Sequence, residues 1–397
     1  MAHKILMLGG FRAGKSSILA SILHALEQTD GSILTVTDQT DYTAAEKAPV
    51  GLKDKRLEIS QYLKNKNRVV GEEAKFLVDM NPTQDYSVYT LKTRVDGAHD
   101  VDFSFIDVAG EYMEETHAKY KDLKVWVSES DVFIIAIDTP YMMQPDGDIN
   151  EVYNRTTEIT KVLSNIGDGT DPEVNKKLVI FCPVKCEKWV RKQEGQVSQA
   201  DAVANKVKQS YRTLINTLIP KKGVDMWIMP IQTVGALDFV EMTDAYKYFK
   251  NSEDKTGRRC SFDKLTGLVR LEDGEYLLGV DTDHIEKNAD SSRNNGLIDI
   301  PYAWYKVNEV GKYTPILCEQ PAYHIIRFLV KKEQAIAKLQ KEINDNSPWW
   351  RRIILWFTSP PFGQYIVQYQ KVVDALERAN KIKESGDGFV KITEIIH

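Results

Sequence analysis

The chain has 397 residues, of which 42% are hydrophobic, with 52 Lys and Arg against 57 Asp and Glu for a net charge of −5. That length can hold one enlarged domain or two to three ordinary ones, with ample apolar material for a core. The acidic balance gives no electrostatic reason to expect nucleic-acid binding, and no apolar run reaches membrane-spanning length. Cys182, Cys186, Cys260 and Cys318 lack paired zinc spacing and read as free thiols of a reducing compartment. Neither a secretory signal nor a lipidation motif is legible, so the expected location is the cytoplasm.

From the N-terminus, Ile5-Leu6-Met7-Leu8 predicts a buried strand over 4–8, and it runs into Gly9-Gly10-Phe11-Arg12-Ala13-Gly14-Lys15-Ser16. This is a complete phosphate-binding loop, followed by a helix over 15–28. Successive amides of such a loop, with the helix N-terminus behind them, make a concave donor surface for phosphate. Gly9, Arg12, Ala13, Gly14, Lys15, Ser16 and Ser17 are therefore the candidate nucleotide contacts. Lys15 would reach the β and γ phosphates, and the Ser16 hydroxyl would ligate Mg2+. Residues 29–80 break the pattern, with a short strand at Ile33-Leu34-Thr35-Val36 and a charged helix over 54–78. Strands then follow at 86–95, 101–106, 131–137, 177–182 and 226–231, interleaved with helices near 112–126, 149–165 and 187–218. The alternation predicts an α/β fold with a doubly wound, mostly parallel sheet.

Residues 251–315, rich in Gly, Asp and Asn with short β-like runs such as Leu268-Val269-Arg270-Leu271, read as a second insertion. Ile325, Phe328, Leu329, Ile336, Leu339 and Ile343 then recur at three- and four-residue steps, predicting a helix over 319–344. The expected division is one domain over 1–345, with insertions at about 29–80 and 251–315, and a C-terminal aromatic segment and helix over 346–397. Within that last part, the run Trp349-Trp350-Arg351-Arg352-Ile353-Ile354-Leu355-Trp356-Phe357 suits an aromatic clasp on the core, a protein partner or a membrane surface. A final helix is expected over 365–385, with Ile366, Val373, Leu376 and Ile382 on one face.

Val101-Asp102-Phe103-Ser104-Phe105-Ile106 ends in Asp107-Val108-Ala109-Gly110-Glu111. An Asp at the end of a buried strand beside a phosphate loop can hold Mg2+ through water. The glycine three residues on can turn its amide towards a γ-phosphate. With these two motifs the chain resembles the Ras-like, translation-factor-type class of P-loop GTPases, over about residues 1–240. In overall layout it looks most like the bacterial double-GTPase group, whose members tend to be encoded in conflict or defence cassettes.

The resemblance implies further roles. In that class a Pro-Thr pair precedes the strand at 86–95, which carries the γ-phosphate and Mg2+ sensor onto Thr83, with Thr90 as fallback. Asn-Lys-x-Asp, the family's guanine-reading motif, is departed from here: Val184-Lys185-Cys186-Glu187 keeps Lys185 for the base plane and Glu187 as acceptor, but Val184 cannot tie this loop to the phosphate loop. Gln232-Thr233-Val234-Gly235-Ala236 resembles the loop whose backbone contacts the guanine oxygen, through Gly235 and Ala236. Glu111 stands where the class places a water-orienting glutamine, and it equally suits a helix-start glutamate. Some members of the class carry an arginine finger in cis a few residues before that threonine, but Val78-Asp79-Met80-Asn81-Pro82-Thr83 holds no arginine. The implied function is a Mg2+-dependent, GTP-binding and GTP-hydrolysing switch with slow intrinsic turnover, answering to a protein partner or to self-association. A catalytically weak nucleotide-binding scaffold, or an ATP-using P-loop protein, is the alternative.

Overall fold

Strands buried on both faces read as continuous apolar runs, and such runs at residues 5–8, 132–137 and 178–182 build the centre of this molecule. In a computed structural model of the chain, the residues described are 3–27, 35–40, 51–68, 75–77, 85–94, 101–145, 147–167, 175–191, 198–288, 300–308, 311–345, 370–371, 373–374, 376–378 and 381–392. The first part of the chain forms β1 (His3–Leu8), α1 (Lys15–Glu27), β2 (Thr35–Asp38), α2 (Leu52–Arg68), β3 (Phe76–Leu77), β4 (Ser87–Arg94) and β5 (Val101–Asp107). Next come α3 (Tyr120–Glu129), β6 (Val132–Asp138), α4 (Thr139–Met142), α5 (Gly147–Asn154), α6 (Thr156–Leu163) and β7 (Lys177–Val184). They are followed by α7 (Glu187–Val190), α8 (Ala200–Ser210), α9 (Arg212–Leu218) and β8 (Val224–Ile228).

β8, β7, β6, β1 and β5 lie side by side and parallel. β4 and then β2 continue the sheet antiparallel beyond β5. Successive side chains point to opposite faces. Leu6, Leu8, Ile135, Ile137 and Phe181 pack on one side with Leu123 of α3, Ile159 of α6, Val203 of α8 and Leu214 of α9. Ile5, Met7, Ile134, Ile180 and Cys182 pack on the other with Ile18, Leu19 and Ile22 of α1. The fold is therefore α/β, with a doubly wound, mostly parallel sheet. Because β1 has β5 on one side and β6 on the other, the strand order reverses at its carboxyl end, where such sheets place their ligands.

A β extension follows: β9 (Leu237–Thr243), β10 (Tyr246–Tyr248), β11 (Arg258–Asp263), β12 (Leu268–Leu271), β13 (Tyr276–Leu277), β14 (Ile285–Lys287) and β15 (Tyr302–Val307). β10–β14 form a five-stranded antiparallel sheet, whereas β9 and β15 join β3 in a three-stranded one. The two stretches that interrupt the α/β alternation are thus hydrogen-bonded to each other, Trp304 facing Leu77 and Tyr305 facing Phe76. Trp304 is fully buried there, donating from Nε1 to Thr243 Oγ1 at 2.6 Å.

The chain returns in α10 (Gln320–Asp345), whose Tyr323, Ile325, Ile326 and Leu329 lie beside α1 on the sheet. Val373, Leu376 and Ile382 join that same core, and β16 (Val390–Lys391) pairs antiparallel with β8 at the sheet edge. Trp349–Phe357 and Ile366 lie outside the described residues. Among those described, no helix is long and apolar enough to cross a membrane, and all four cysteines are free and buried.

Four predicted helices differ from the structure: the one expected over 54–78 is α2 as far as Arg68, with Phe76–Leu77 in strand β3, and three others are broken. The one expected over 112–126 is a 3-10 turn at Gly110–Met113 followed by α3. The one over 149–165 divides at Arg155, whose left-handed backbone (φ 51°) cannot continue an α-helix. The one over 187–218 divides into α7, α8 and α9.

α10 is held to the sheet by charge as well as by apolar contact. Asp131 Oδ1 accepts from Lys332 Nζ of α10 at 2.5 Å and from Lys177 Nζ of β7 at 3.2 Å. Asp131→Asn leaves two largely buried ammonium groups without their carboxylate. We expect a loss of about 2–3 kcal/mol, read by urea unfolding of the full chain. An unchanged midpoint would show that the apolar contacts alone dock α10.

Candidate functional site

The phosphate loop leaves β1 at the strand-order reversal and closes into α1. Ile18 N donates to Gly14 O at 3.0 Å and Ala13 N to Gly10 O at 3.3 Å, giving a tight turn in which Gly9, Arg12 and Gly14 all have positive φ. Neighbouring backbones press on it from three sides. A Cβ on Gly9 would lie 2.7 Å from Ala136 O of β6, one on Gly10 1.7 Å from Tyr153 O of α5, and one on Gly110 2.7 Å from Phe11 N. Lys15, only 5% exposed, donates from Nζ to Gly9 O and Gly10 O at 3.1 Å each. Burial depresses its pKa, Asp107 and Glu111 oppose that shift, and Arg155 adds to it. An anion here would restore the ammonium's full basicity.

Ser16 Oγ donates to Asp107 Oδ2 at 2.7 Å. A hydroxyl and a carboxylate from two elements, beside a phosphate-binding loop, form the hard-oxygen donor set that suits Mg2+ with substrate phosphates completing its shell. Thr83, the third expected ligand, lies outside the described residues, and its fallback Thr90 donates its amide to Thr40 Oγ1 within the edge of the sheet. Gly110 sits directly on the phosphate loop and opens the 3-10 turn Gly110–Met113, in which Glu111 is the second residue.

The end of the site expected to read a base is built by β7 and α7. Lys185 Nζ donates to Arg12 O at 3.1 Å and pairs with Asp138 Oδ2 at the end of β6. Val184 puts Cγ2 3.4 Å from where a Gly14 Cβ would stand. The tie that a valine cannot make by hydrogen bond is therefore made by Lys185, with Val184 filling space against the loop. Glu187, 1% exposed, accepts from Gly235 N at Oε1 (3.2 Å), while Oε2 has no hydrogen-bond partner among the described residues. Its burial pushes the carboxyl pKa up to about 7. Gly235 also carries Asn308 Nδ2 on its carbonyl, and Ala236 O accepts from Asn308 N, so these two residues serve the loop's own framework.

One cavity unites these pieces. Phe11, Arg12, Ala13, Gly14, Lys15, Ser16 and Ser17 line it together with Gly110, Lys185, Glu187, Thr233 and Val234. Of the expected contacts, Gly9, Asp107, Glu111, Gly235 and Ala236 are not on its wall. Arg12 has its guanidinium over the Phe11 ring, 5.3 Å from the centroid.

Several wall residues come from stretches where the sequence shows no motif. Lys55, Ile59, Tyr62 and Leu63 of α2 face the cavity from the first insertion, and Leu237 and Tyr305 from the β extension. Their local signal is only that of an amphipathic helix and an aromatic strand, so nothing short of the tertiary pairing of β3 with β15 could place them. Arg155 is a further addition. It is 8% exposed, follows the Tyr153-Asn154 backbone that contacts Gly10, and donates to Glu114 Oε1 at 2.7 Å.

No family model and no curated protein matches the chain. Among solved structures it is similar to the signal recognition particle receptor SRb-GTP/SRX complex from Chaetomium thermophilum, with a TM-score of 0.34 and 14% identity over 59% of this chain and 92% of that one. It is similar to the mammalian SRP receptor, with a TM-score of 0.28 and 11% identity over 58% and 92%. A third likeness is to the S. cerevisiae Ski7 GTPase-like domain bound to GDP and inorganic phosphate, with a TM-score of 0.28 and 12% identity over 78% and 71%.

The Glu187 carboxyl gives the site a pH signature. A ligand that donates N–H groups to Oε2 needs the ionised form, so below pH 7 binding must expel a proton. Affinity for mant-GDP is expected to rise about tenfold from pH 6 to pH 8 and then level off. Glu187→Gln should bind weakly and without that slope; a wild-type profile flat across this range would remove the carboxylate from the contact.

Proposed function

We propose that the chain is a guanine-nucleotide switch that binds GTP and GDP with Mg2+, hydrolyses GTP slowly by itself and reports its nucleotide state to a protein partner. What carries the reading is the single cavity with a phosphate loop on one wall and Lys185 with the half-satisfied Glu187 on another. A carboxylate complements the N1–H and amine of guanine, whereas adenine would turn its N1 lone pair towards it.

Phosphates would lie on the loop amides, with Lys15 leaving the carbonyls of Gly9 and Gly10 to meet the β and γ oxygens. Ser16, Asp107 and Thr83 are the residues assigned to Mg2+, which would neutralise charge on the same oxygens. For hydrolysis, water attacks the γ-phosphorus and the bond to the bridging oxygen breaks. Glu111 is assigned to accept a hydrogen bond from that water. Its negative charge works against it so close to the phosphate, and the Arg155 guanidinium is engaged by Glu114, so intrinsic turnover is slow.

Switching is supported by side chains that tie the two expected switch segments together. Tyr112, two residues after Gly110, is hydrogen-bonded to Asp85, two residues after Thr83. The Tyr86 and Trp126 rings meet beside them at a tilt, with centroids 4.9 Å apart. A change at the γ-phosphate would therefore reach both segments and the aromatic surface they share. Self-association, and membrane-surface contact through Trp349–Phe357, are proposed as further routes for output. Glu111's place outside the cavity wall favours a second reading, a nucleotide-binding scaffold with negligible hydrolysis.

Mant-GTP titration should show tight, Mg2+-dependent binding with mant-ATP far weaker, and Lys15→Ala should weaken mant-GTP about 10- to 100-fold. Equal affinity for ATP would overturn the guanine assignment. Phosphate release by wild type but not by Glu111→Ala supports the switch, and no release by either supports the scaffold.

A further inference from the structure

β15 carries four consecutive buried residues, Tyr302, Ala303, Trp304 and Tyr305. Tyr302 and Trp304 pack into a small core of the extension with Leu77 and Ala245, while Ala303 and Tyr305 turn to the main α/β core. Opposite them the register with β9 slips: Trp304 faces Glu241 but Tyr305 faces Phe239, leaving Val240 as an extra residue. Such bulges re-aim side chains, and they recur beside functional sites. Here the bulge brings Phe239 opposite Tyr305, where the rings meet edge to face at 6.1 Å, and Phe239 in turn stacks on Trp189 of α7 at 5.5 Å. The Tyr305 ring is thereby fixed to the same short helix that carries Glu187.

The hydroxyl at the end of that ring is unusual. Tyr305 is 3% exposed and lines the nucleotide cavity, yet its Oη has no hydrogen-bond partner among the described residues. Burial drives the phenol pKa far above its ordinary value, and Asp138, Glu187, Tyr153 and Tyr62 add to the shift. Leaving a buried hydroxyl unpaired is costly, because its lost hydration is not repaid by a partner. Two such orphans, Tyr305 Oη and Glu187 Oε2, on one cavity wall are what a ligand offering hydrogen-bond donors would satisfy together.

We infer that Tyr305, delivered by the β extension, is a specificity-determining residue of the base pocket, its hydroxyl accepting one hydrogen of a guanine exocyclic amine while Glu187 takes the other. The inference rests on the reading of this cavity as a guanine-nucleotide site and gives the extension a role in it. Guanine's amine has two hydrogens, and a single carboxylate oxygen satisfies one of them in line. Phe239 and Trp189 hold the acceptor for the second without any motif in the local sequence.

The test uses the full chain, GDP and inosine diphosphate, which is GDP without its exocyclic amine. Tyr305→Phe keeps the ring and removes only the oxygen. We expect it to weaken GDP about 5- to 10-fold, the worth of one neutral hydrogen bond, and to leave inosine diphosphate unchanged. Its melting temperature in the absence of nucleotide should not fall, because the deleted hydroxyl bonds nothing among the described residues. Equal weakening of both nucleotides, no weakening of GDP, or a marked drop in melting temperature would each overturn the assignment. If wild type and Lys15→Ala alike fail to bind GDP, it is the guanine-nucleotide reading that has failed, a result separable from a Tyr305-specific one.

Discussion

Everything at this site depends on the room denied to side chains around the phosphate loop. Gly9, Gly10 and Gly110 meet the backbones of β6, α5 and the loop itself at distances that no Cβ could share. The loop is therefore shaped by the strand and helix ends around it as much as by its own turns. That makes a rigid floor, and rigidity matters because a phosphate cradle works by presenting amides already aimed at the ligand. It also means that Gly110, resting on Gly10 and Phe11, cannot shift without disturbing the segments that follow it.

That segment is where charge and packing meet. Glu114 holds Arg155, Tyr112 holds Asp85, and Arg155 adopts a left-handed backbone at the break between α5 and α6. A non-glycine residue in that conformation costs of order 1–3 kcal/mol and persists only where its surroundings impose it. The imposing neighbour is the loop: the Tyr153 carbonyl packed on Gly10 sets where the next residues go. The phosphate loop thus positions a buried guanidinium whose field Lys15 already feels.

How far all this was legible follows from range. The parallel strands announce themselves because burial on both faces writes an unbroken apolar run, and the phosphate loop because its glycines and lysine are contiguous. Asp107 and Gly110 were legible for the same reason. Arg155 was not, since its helix pattern continues across the break and the close approach at Gly10 leaves no mark at residue 155. The loss of an amide at Val184 suggested a loosened loop, yet Lys185 makes the tie from the next position, bridging Asp138 and Arg12 O. Least legible was the pairing of β3 with β15, which joins segments from opposite ends of the chain and whose short strands lack any motif.

That pairing changes what the interruptions of the α/β pattern are for. A surface embellishment would bury its own apolar side chains and turn polar groups outward. Here Lys55 and Tyr62 from one, and Tyr305 from the other, face the cavity. The free protein carries the cost of that arrangement: a depressed Lys15, a raised Glu187 and a tyrosine hydroxyl with no partner among the described residues. Each is an unfavourable burial that a ligand of complementary chemistry relieves, anionic at one end and donor-rich at the other. Since Lys185 joins the two ends through the Arg12 carbonyl, relief at Glu187 and relief at Lys15 act on one connected framework. A ligand supplying only one half would leave the other half of the cost in place, which is a physical basis for preferring a ligand anionic at one end and donor-rich at the other over either part alone.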